Sequence, residues 1–268
     1  MSRPTPRHLR WVQAALFVLT LMLGAACVEV PDSGPVRAGP EVGADEEPVL
    51  RYVPRGPTAG ADPVTVINGY LDAMRAYPPN PGIVGRFLTD EAVAEWSPEA
   101  GVQIYTERPQ MEEVRSGGVA IETQVLARLT ARGEWVAPPA DAQRLRREFR
   151  LERENGEWRI ANPASGLLLP EYAFERYYRP YSLYFFDPAL RILVPEQVYL
   201  PQGEQTATLL LRGLQRGPTD WLRGAVDSLV PVTGDADVSV PVSDRGVAEV
   251  QLSAAARGLG TTERELLA

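Results

Sequence analysis

Few side chains of this chain are suited to covalent catalysis or to metal binding. The sequence contains one Cys, Cys27, one His, His8, and no Lys, so its 27 Lys-plus-Arg positions are all Arg. A single Cys excludes a disulfide within the chain and a metal site built on paired Cys residues. The absence of Lys excludes a Schiff base and a lysine clamp on phosphate. Carboxylates, Tyr, Ser and Arg remain as candidates for chemistry, together with the lone thiol.

The residues that precede Cys27 have the pattern of a secretory signal. Residues 1–10 carry basic side chains and no acids, residues 11–23 form an apolar run, and residues 24–26 are small. The apolar run is short for a membrane span, which needs about 20 residues. We therefore predict a signal peptide over residues 1–26, cleaved between Ala26 and Cys27.

The position of Cys27 directly after these small residues resembles the lipobox of bacterial lipoproteins. The lipobox prefers Leu three residues before the Cys, where this chain has Gly24, with Leu23 one residue earlier. The resemblance implies diacylation of the Cys27 thiol, attachment to membrane lipid, and a place on the outer face of the cytoplasmic membrane. Two or more acyl chains hold a protein stably, whereas one binds marginally. An ordinary secretory signal followed by a free Cys is the alternative.

Removal of the signal would also remove His8 and three Arg residues, which takes the formal net charge from −8 to −11. A chain without His cannot form a Ser-His-Asp triad or a His-ligated zinc site. An acidic surface argues against nucleic acid as a partner. We therefore expect a protein that is not an enzyme, with no catalytic, cofactor-binding or metal-binding residues.

Residues 27–61 predict a flexible tether because they are rich in Pro, Gly and acids and show no hydrophobic period. About 30 residues of this kind reach roughly 30 Å. Leu50, Tyr52 and Val53 could add a short strand to the domain that follows.

Residues 62–171 predict a first domain in which helices precede an antiparallel sheet, an α+β arrangement. Asp62 and Pro63 suit a helix start, and Thr89 or Asp90 can cap a later turn. Alternating apolar residues from Val102 onward indicate strands. The Asn155-Gly156 pair predicts a hairpin turn before Trp158.

This order of elements resembles the cone-shaped NTF2-like fold, whose enzymes use a pocket inside the cone. Tyr105 with Asp72 or Asp90 could form a pocket pair there, with a structural or surface role as the alternative. A run of Arg from Arg144 to Arg153 could bind an anion or a lipid headgroup. Interleaved acids, Glu148, Glu152 and Glu154, favour a solvated strand face instead.

Residues 172–268 predict a second domain, which begins with many aromatic residues. These aromatics either pack the two domains together or form a partner-binding surface. Strands over 182–186 and 191–200 precede a helix over 204–215 and a hairpin over 238–252. Pro195 either divides the second strand or puts it at a sheet edge. The succession from Leu210 to Pro218, then Val226–Pro231 and the hairpin, resembles the GerMN domain, a small α/β module of envelope proteins.

The combination of lipobox, tether, NTF2-like domain and GerMN domain resembles the LpqB lipoproteins of actinobacteria. That resemblance implies binding to the extracellular domain of a sensor histidine kinase, as an accessory protein of a two-component system. The family continues into a C-terminal β-propeller that is missing here. Thr262 and Glu265 predict a capping box that opens a helix cut short at Ala268, so we expect a fragment or a truncated gene.

Two other functions remain open from the sequence. A small-ligand binder would use the NTF2-like pocket and needs convergent polar groups in a cavity. A cell-envelope or wall-assembly scaffold follows from the GerMN resemblance. The sequence itself does not discriminate between these and the kinase-binding hypothesis.

Overall fold

The computed structural model describes residues 51–115, 117–230, 239–243, 245–250 and 258–267. The predicted signal peptide, the lipidation residue Cys27 and the tether as far as residue 50 lie outside the described residues. All described residues belong to one compact unit.

Three short helices open the first domain: α1 (Pro63–Ala73), α2 (Pro81–Gly85) and α3 (Asp90–Glu95). Each helix has an N-cap residue whose side chain accepts a backbone N–H of the first turn. These residues are Asp62 for α1, Asn80 for α2 and Thr89 for α3. The distances from these oxygens to the nitrogens are 3.0, 3.2 and 3.2 Å. The predicted start of α1 is confirmed, and Thr89 rather than Asp90 caps α3.

Eight strands follow a 3-10 turn (Pro98–Ala100). They are β1 (Gly101–Tyr105), β2 (Gln110–Glu113), β3 (Val119–Thr130), β4 (Trp135–Val136), β5 (Arg144–Phe149), β6 (Leu151–Glu154), β7 (Glu157–Ile160) and β8 (Leu167–Pro170). The first half of β3 pairs with β2 and β5, and its second half pairs with β1 and β4. This exchange of partners along one long strand gives a curled sheet, in the α+β class that the sequence predicts.

The hairpin of β6 and β7 turns at Asn155 and Gly156, as predicted, with φ values of 52° and 83°. Two positive φ values in succession are the geometry that Asn-Gly favours. The alternating pattern of the sequence did not predict β2, β4 or β8. The strand β8 pairs in parallel with β1, and all four of its residues are buried, so it has no alternation to recognise.

Side chains fill the interior of the curled sheet. Tyr70, Ile104 and Phe149 are fully buried there, and the Tyr70 and Phe149 rings meet edge to face at 5.7 Å. Residues just before α1 also pack on this domain. Tyr52 exchanges both backbone hydrogen bonds with Tyr77, at 3.0 and 2.9 Å, as an isolated bridge. Of the predicted short strand, Tyr52 is thus paired and Val53 is not, and Leu50 lies outside the described residues. The Gly60 N–H donates to Glu157, so residues 52–60 contact the domain although they fall within the predicted tether.

The helix α4 (Glu171–Tyr177) follows β8 and packs on the first domain, because its Ala173, Phe174 and Tyr177 belong to the core of that domain. The second domain contains β9 (Tyr178–Phe186), β10 (Leu193–Pro201), α5 (Thr206–Gln215) and α6 (Thr261–Leu267). The strands β9 and β10 pair antiparallel over nine residue pairs, and Pro195 pairs with Tyr184. The helix α5 packs on this hairpin so closely that a Cβ on Gly213 would lie 2.8 Å from Leu183. Of the predicted hairpin over 238–252, the described part pairs Val242 with Ala248. Residues 238, 244 and 251–252 lie outside the described residues.

The predicted capping box at Thr262 and Glu265 was wrong in its register. The helix α6 begins at Thr261, and the Glu263 carboxylate accepts the Gly260 N–H at 2.7 Å. Gly260 therefore occupies the N-cap position, three residues before Glu263. In the part of the chain that the structure describes, no helix has the length and apolar character needed to cross a membrane.

Candidate functional site

Aromatic rings from both domains meet at one junction. The Trp135 ring of β4 lies 5.7 Å from Phe174 of α4 and 5.4 Å from Tyr199 of β10. Phe174 also stacks on Tyr178 at 5.2 Å. Packed aromatic pairs contribute about 0.5–1.5 kcal/mol beyond their buried area. The prediction that the aromatic run packs the domains together is confirmed for Phe174 and Tyr178.

Backbone hydrogen bonds fix the same junction. The Tyr199 N–H donates to the Gly133 carbonyl at 2.8 Å, and the Gln202 N–H donates to the Tyr177 carbonyl at 2.9 Å. Gly133 has a φ of +82°, and a Cβ there would lie 2.6 Å from the Tyr199 oxygen. Only glycine fits this close approach, so the strand β10 is held directly against the turn that follows β3.

A cleft of about 710 Å³ opens beside this junction, and we call it the junction cleft. The first domain contributes the segment after α1 and the turn between β3 and β4. The second domain contributes the end of β10 and one face of α5. Tyr77, Tyr178 and Tyr199 form aromatic parts of the lining, next to prolines of both domains, which are Pro78, Pro79, Pro81, Pro98 and Pro201.

The charged lining of the junction cleft is mainly cationic. It consists of four arginines, Arg51, Arg132, Arg212 and Arg216, and two acids, Glu99 and Glu204. Arg132 donates to the Gly217 carbonyl, and Arg216 donates to the Ala131 carbonyl at 3.2 Å. Among the ion pairs of the described residues, none joins a cleft arginine to a carboxylate. The cleft therefore keeps a local positive charge in a chain of net charge −8.

Among the described residues, no hydrogen bond joins Tyr105 to Asp72 or Asp90, so the proposed pocket pair does not form inside the curled sheet. Asp72 instead accepts the Tyr52 hydroxyl at 3.0 Å and pairs with Arg75. Asp90 lies at the start of α3, where its N–H donates to Glu154 at 3.1 Å. Burial raises the pKa of Tyr105 to about 12, with a further increase from Tyr172 nearby. A phenol with this pKa is a poor base at neutral pH.

The space inside the curled sheet is occupied by packed side chains, among them Tyr70, Ile104 and Phe149. The small-ligand hypothesis located its pocket there. The junction cleft, with a volume of about 710 Å³, lies between the domains instead. No group of three His, Cys, Asp or Glu side chains that could hold a metal ion occurs within the described ranges.

The Arg side chains on and between β5 and β6 each interact with a different partner. Arg144 pairs with Glu122, Arg146 with Glu112 at 3.6 Å and Arg150 with Glu152 at 3.2 Å. Arg147 turns inward over the Phe149 ring and donates to the Pro163 carbonyl, and Arg153 lies over Trp158. The structure therefore favours the solvated strand face over an anion patch, with acids of β2 and β3 contributing as partners.

The four cleft arginines were missed by sequence reasoning. They lie on three separate segments, and two of them stand next to glycines of tight turns, Gly133 and Gly217. Neither spacing nor periodicity connects these segments. Their convergence follows from the packing of the two domains and carries no local sequence signal.

Comparisons with known proteins identify relatives of the chain in one protein family. The family model described as "Lipoprotein LpqB, N-terminal domain" matches residues 56–175, and the model described as "Sporulation and spore germination" matches residues 182–268. The chain is 32% identical to Lipoprotein LpqB of Cutibacterium acnes over 97% of its own length and 44% of that relative. It is 32% identical to Lipoprotein LpqB of Thermobifida fusca, over 81% of the chain and 37% of the relative.

A third relative, Lipoprotein LpqB of Nocardia farcinica, is 31% identical over 87% of the chain and 37% of the relative. The chain thus spans less than half the length of the curated relatives it matches. No solved structure gives a significant match. Because two adjoining family models and these relatives cover both described domains, the chain belongs to the LpqB lipoprotein family.

Proposed function

We propose that this protein is anchored by lipid on Cys27 to the outer face of the cytoplasmic membrane, where it binds the extracellular domain of a sensor histidine kinase and modulates its signalling. The relatives carry the name lipoprotein, and residues 24–27 have the lipobox-like pattern described above. We further propose that the protein acts by binding and has no catalytic centre of its own.

One observation carries the binding role. The aromatic junction and the Gly133–Tyr199 contact join two domains into one unit, and a cleft of about 710 Å³ stays open beside that junction. Ligand sites commonly occupy concave surfaces of about 300–1,000 Å³ at domain interfaces. Because the two domains are already fixed relative to each other, binding a partner would cost little conformational entropy. This favours a binding role.

The anchor is tested by replacing Cys27 with Ser in the full chain. We expect the parent to partition with the membrane fraction and with detergent, and the Cys27→Ser protein to be released in soluble form. A tether reach of roughly 30 Å would keep the domains near the membrane surface. Equal membrane association of the two proteins would contradict lipid attachment at this residue.

The modulatory role is tested in cells with a transcriptional reporter of the kinase. Deletion of the gene should change the reporter output, and the parent chain should restore it. The Cys27→Ser protein should restore less, because it loses proximity to the membrane. An unchanged reporter after deletion would contradict the kinase-binding proposal.

A scaffold for envelope or wall assembly is the second candidate. It is favoured by the match of residues 182–268 to the sporulation and germination model. It is also favoured by exposed apolar side chains on that domain, which include Tyr184, Leu193 and Trp221. Co-isolation with wall-synthesis enzymes, without the kinase, would select this function.

A further inference from the structure

We infer that the junction cleft is a binding site for an extended, acidic peptide segment of a partner protein. The inference goes beyond the proposed function because it specifies the chemistry of the ligand. It does not require that the partner be a kinase.

The arrangement of the cleft arginines carries the first step. Arg212 and Arg216 lie one turn apart at the C-terminal end of α5, where side chains four residues apart are neighbours. Like charges at this spacing repel each other, and in the described part of the chain neither has a carboxylate partner. A ligand carboxylate between them would relieve the repulsion. The planar guanidinium also matches a carboxylate with two parallel hydrogen bonds.

Two of the arginines are also held in place before any ligand arrives. Arg132 of the first domain reaches the Gly217 carbonyl, and Arg216 of the second domain reaches the Ala131 carbonyl. The two contacts cross the junction in opposite directions. Each arginine retains further N–H donors, since a guanidinium has five. Preorganised donors lose less entropy when they bind a carboxylate.

The uncharged lining of the cleft indicates an extended chain. Tyr199 is half-buried and supplies aromatic surface, whereas Tyr77 and Tyr178 border the cleft but are largely buried. The neighbouring prolines supply stiff walls without N–H groups. Aromatic-lined grooves are one of the recurring ways in which proteins recognise extended peptides. The volume of about 710 Å³ exceeds the needs of a single phosphate or sulfate ion and suits several peptide residues.

The surrounding charge limits how acidic the ligand can be. Glu99 and Glu204 also line the cleft, and the whole chain has a net charge of −8. A nucleic acid would bring many phosphates against this acidic surface, which opposes its binding. A short segment with a few carboxylates needs only the local cationic region. The charge pattern therefore favours an acidic peptide over a polyanion.

The test uses the chain from residue 27 onward with Cys27→Ser and a fluorescent mixed-sequence hexapeptide library. Alternate positions are Asp or Glu and the others are apolar, and a matched library carries Asn and Gln instead. We expect the acidic library to bind at least about 10-fold more tightly, a difference of about 1.4 kcal/mol. Arg212→Glu should abolish that preference, and a single-stranded oligonucleotide should not displace the peptides.

The matched control is Arg128→Glu, the same charge change at an exposed position of β3 outside the cleft. It should leave peptide binding unchanged. Arg212→Gln, which keeps hydrogen-bonding capacity and removes the charge, covers the case in which Arg212→Glu unfolds the domain. The inference is overturned if the folded chain binds both libraries equally or neither, or if Arg128→Glu weakens binding as much as Arg212→Glu. Displacement of the peptides by the oligonucleotide at equal concentration would overturn it in favour of a polyanion site.

Discussion

Tyr77 stacks face to face on Tyr177, with ring centroids 4.1 Å apart and an angle of 4° between the ring planes. Tyr77 follows α1 in the first domain, and Tyr177 ends α4 where the second domain begins. The Tyr77 hydroxyl also donates to the Gln202 carbonyl at the end of β10. One side chain of the first domain thus contacts the residue before β9 and the residue after β10, which flank the open end of the hairpin, and it borders the junction cleft.

Replacement of Tyr77 by Ala should loosen the junction. The change removes a 5% exposed aromatic ring, for which truncation costs about 3–5 kcal/mol in protein cores. Tyr77→Phe keeps the stack and loses the hydrogen bond, so it should cost about 1 kcal/mol. Urea unfolding of both variants measures these differences. Equal losses for the two variants would show that the ring stack adds nothing.

Replacement of Gly133 by Ala should destabilise the protein more than the same change at Gly156. Both residues have positive φ values, +82° and +83°, which cost a side chain about 1–2 kcal/mol. At Gly133 the new Cβ would also lie 2.6 Å from the Tyr199 oxygen, whereas nothing lies within 4 Å at Gly156. The excess loss of unfolding free energy at Gly133 therefore measures the domain contact. Equal losses would mean that this contact relaxes without cost.

Thr219→Val should destabilise the loop that follows α5. The buried Glu196 carboxylate, 3% exposed, accepts the Thr219 hydroxyl and its N–H, the latter at 3.2 Å. Loss of the hydroxyl leaves part of a buried carboxylate unsatisfied, which costs about 1–3 kcal/mol. Thr219→Ser keeps the donor and serves as the control. Thermal unfolding should rank Ser above Val, and the reverse order would contradict the role of this hydrogen bond.

The stability of the fold should fall at high pH because of buried tyrosines. Burial raises the pKa of Tyr105 to about 12, and it raises the pKa values of Tyr70 and Tyr178 as well. Each contribution is complete below the unfolded pKa near 10 and is lost as the pH rises through the folded pKa. Each such tyrosine adds a slope of up to about 1.4 kcal/mol per pH unit in that window.

Unfolding by urea between pH 9 and pH 12 measures this slope. Tyr105→Phe removes one ionisable group and should make the decline shallower between pH 10 and 12. The absorbance of tyrosinate should reach its full value only as the protein unfolds. A slope that is identical in the parent and in Tyr105→Phe would contradict the burial effect at this residue.

Local sequence signals predicted much of the first domain. Asp62, Thr89 and the Asn155-Gly156 pair act within a few residues, so their roles as caps and turn could be read directly. The strand β8 was not predicted because its residues, Leu167–Pro170, are buried on both faces and do not alternate between apolar and polar side chains.

The candidate site could not be predicted in the same way. Arg132 donates to the carbonyl of the residue after Arg216, and Arg216 donates to the carbonyl of the residue before Arg132. The two arginines are far apart in the chain. Their proximity depends on the Gly133–Tyr199 contact and on the aromatic rings between the domains. Tertiary packing brings these arginines together, and the residue pattern within a single helix or strand cannot predict that contact.

The central claim, that the two-domain unit binds a sensor kinase, is tested most directly by calorimetry. The Cys27→Ser chain from residue 27 onward would be titrated with the purified extracellular domain of the kinase. We predict saturable heat of binding, weakened at least about 10-fold by Arg212→Glu, a loss of about 1.4 kcal/mol, and unchanged by Arg128→Glu. The absence of binding heat from the folded chain would contradict the claim.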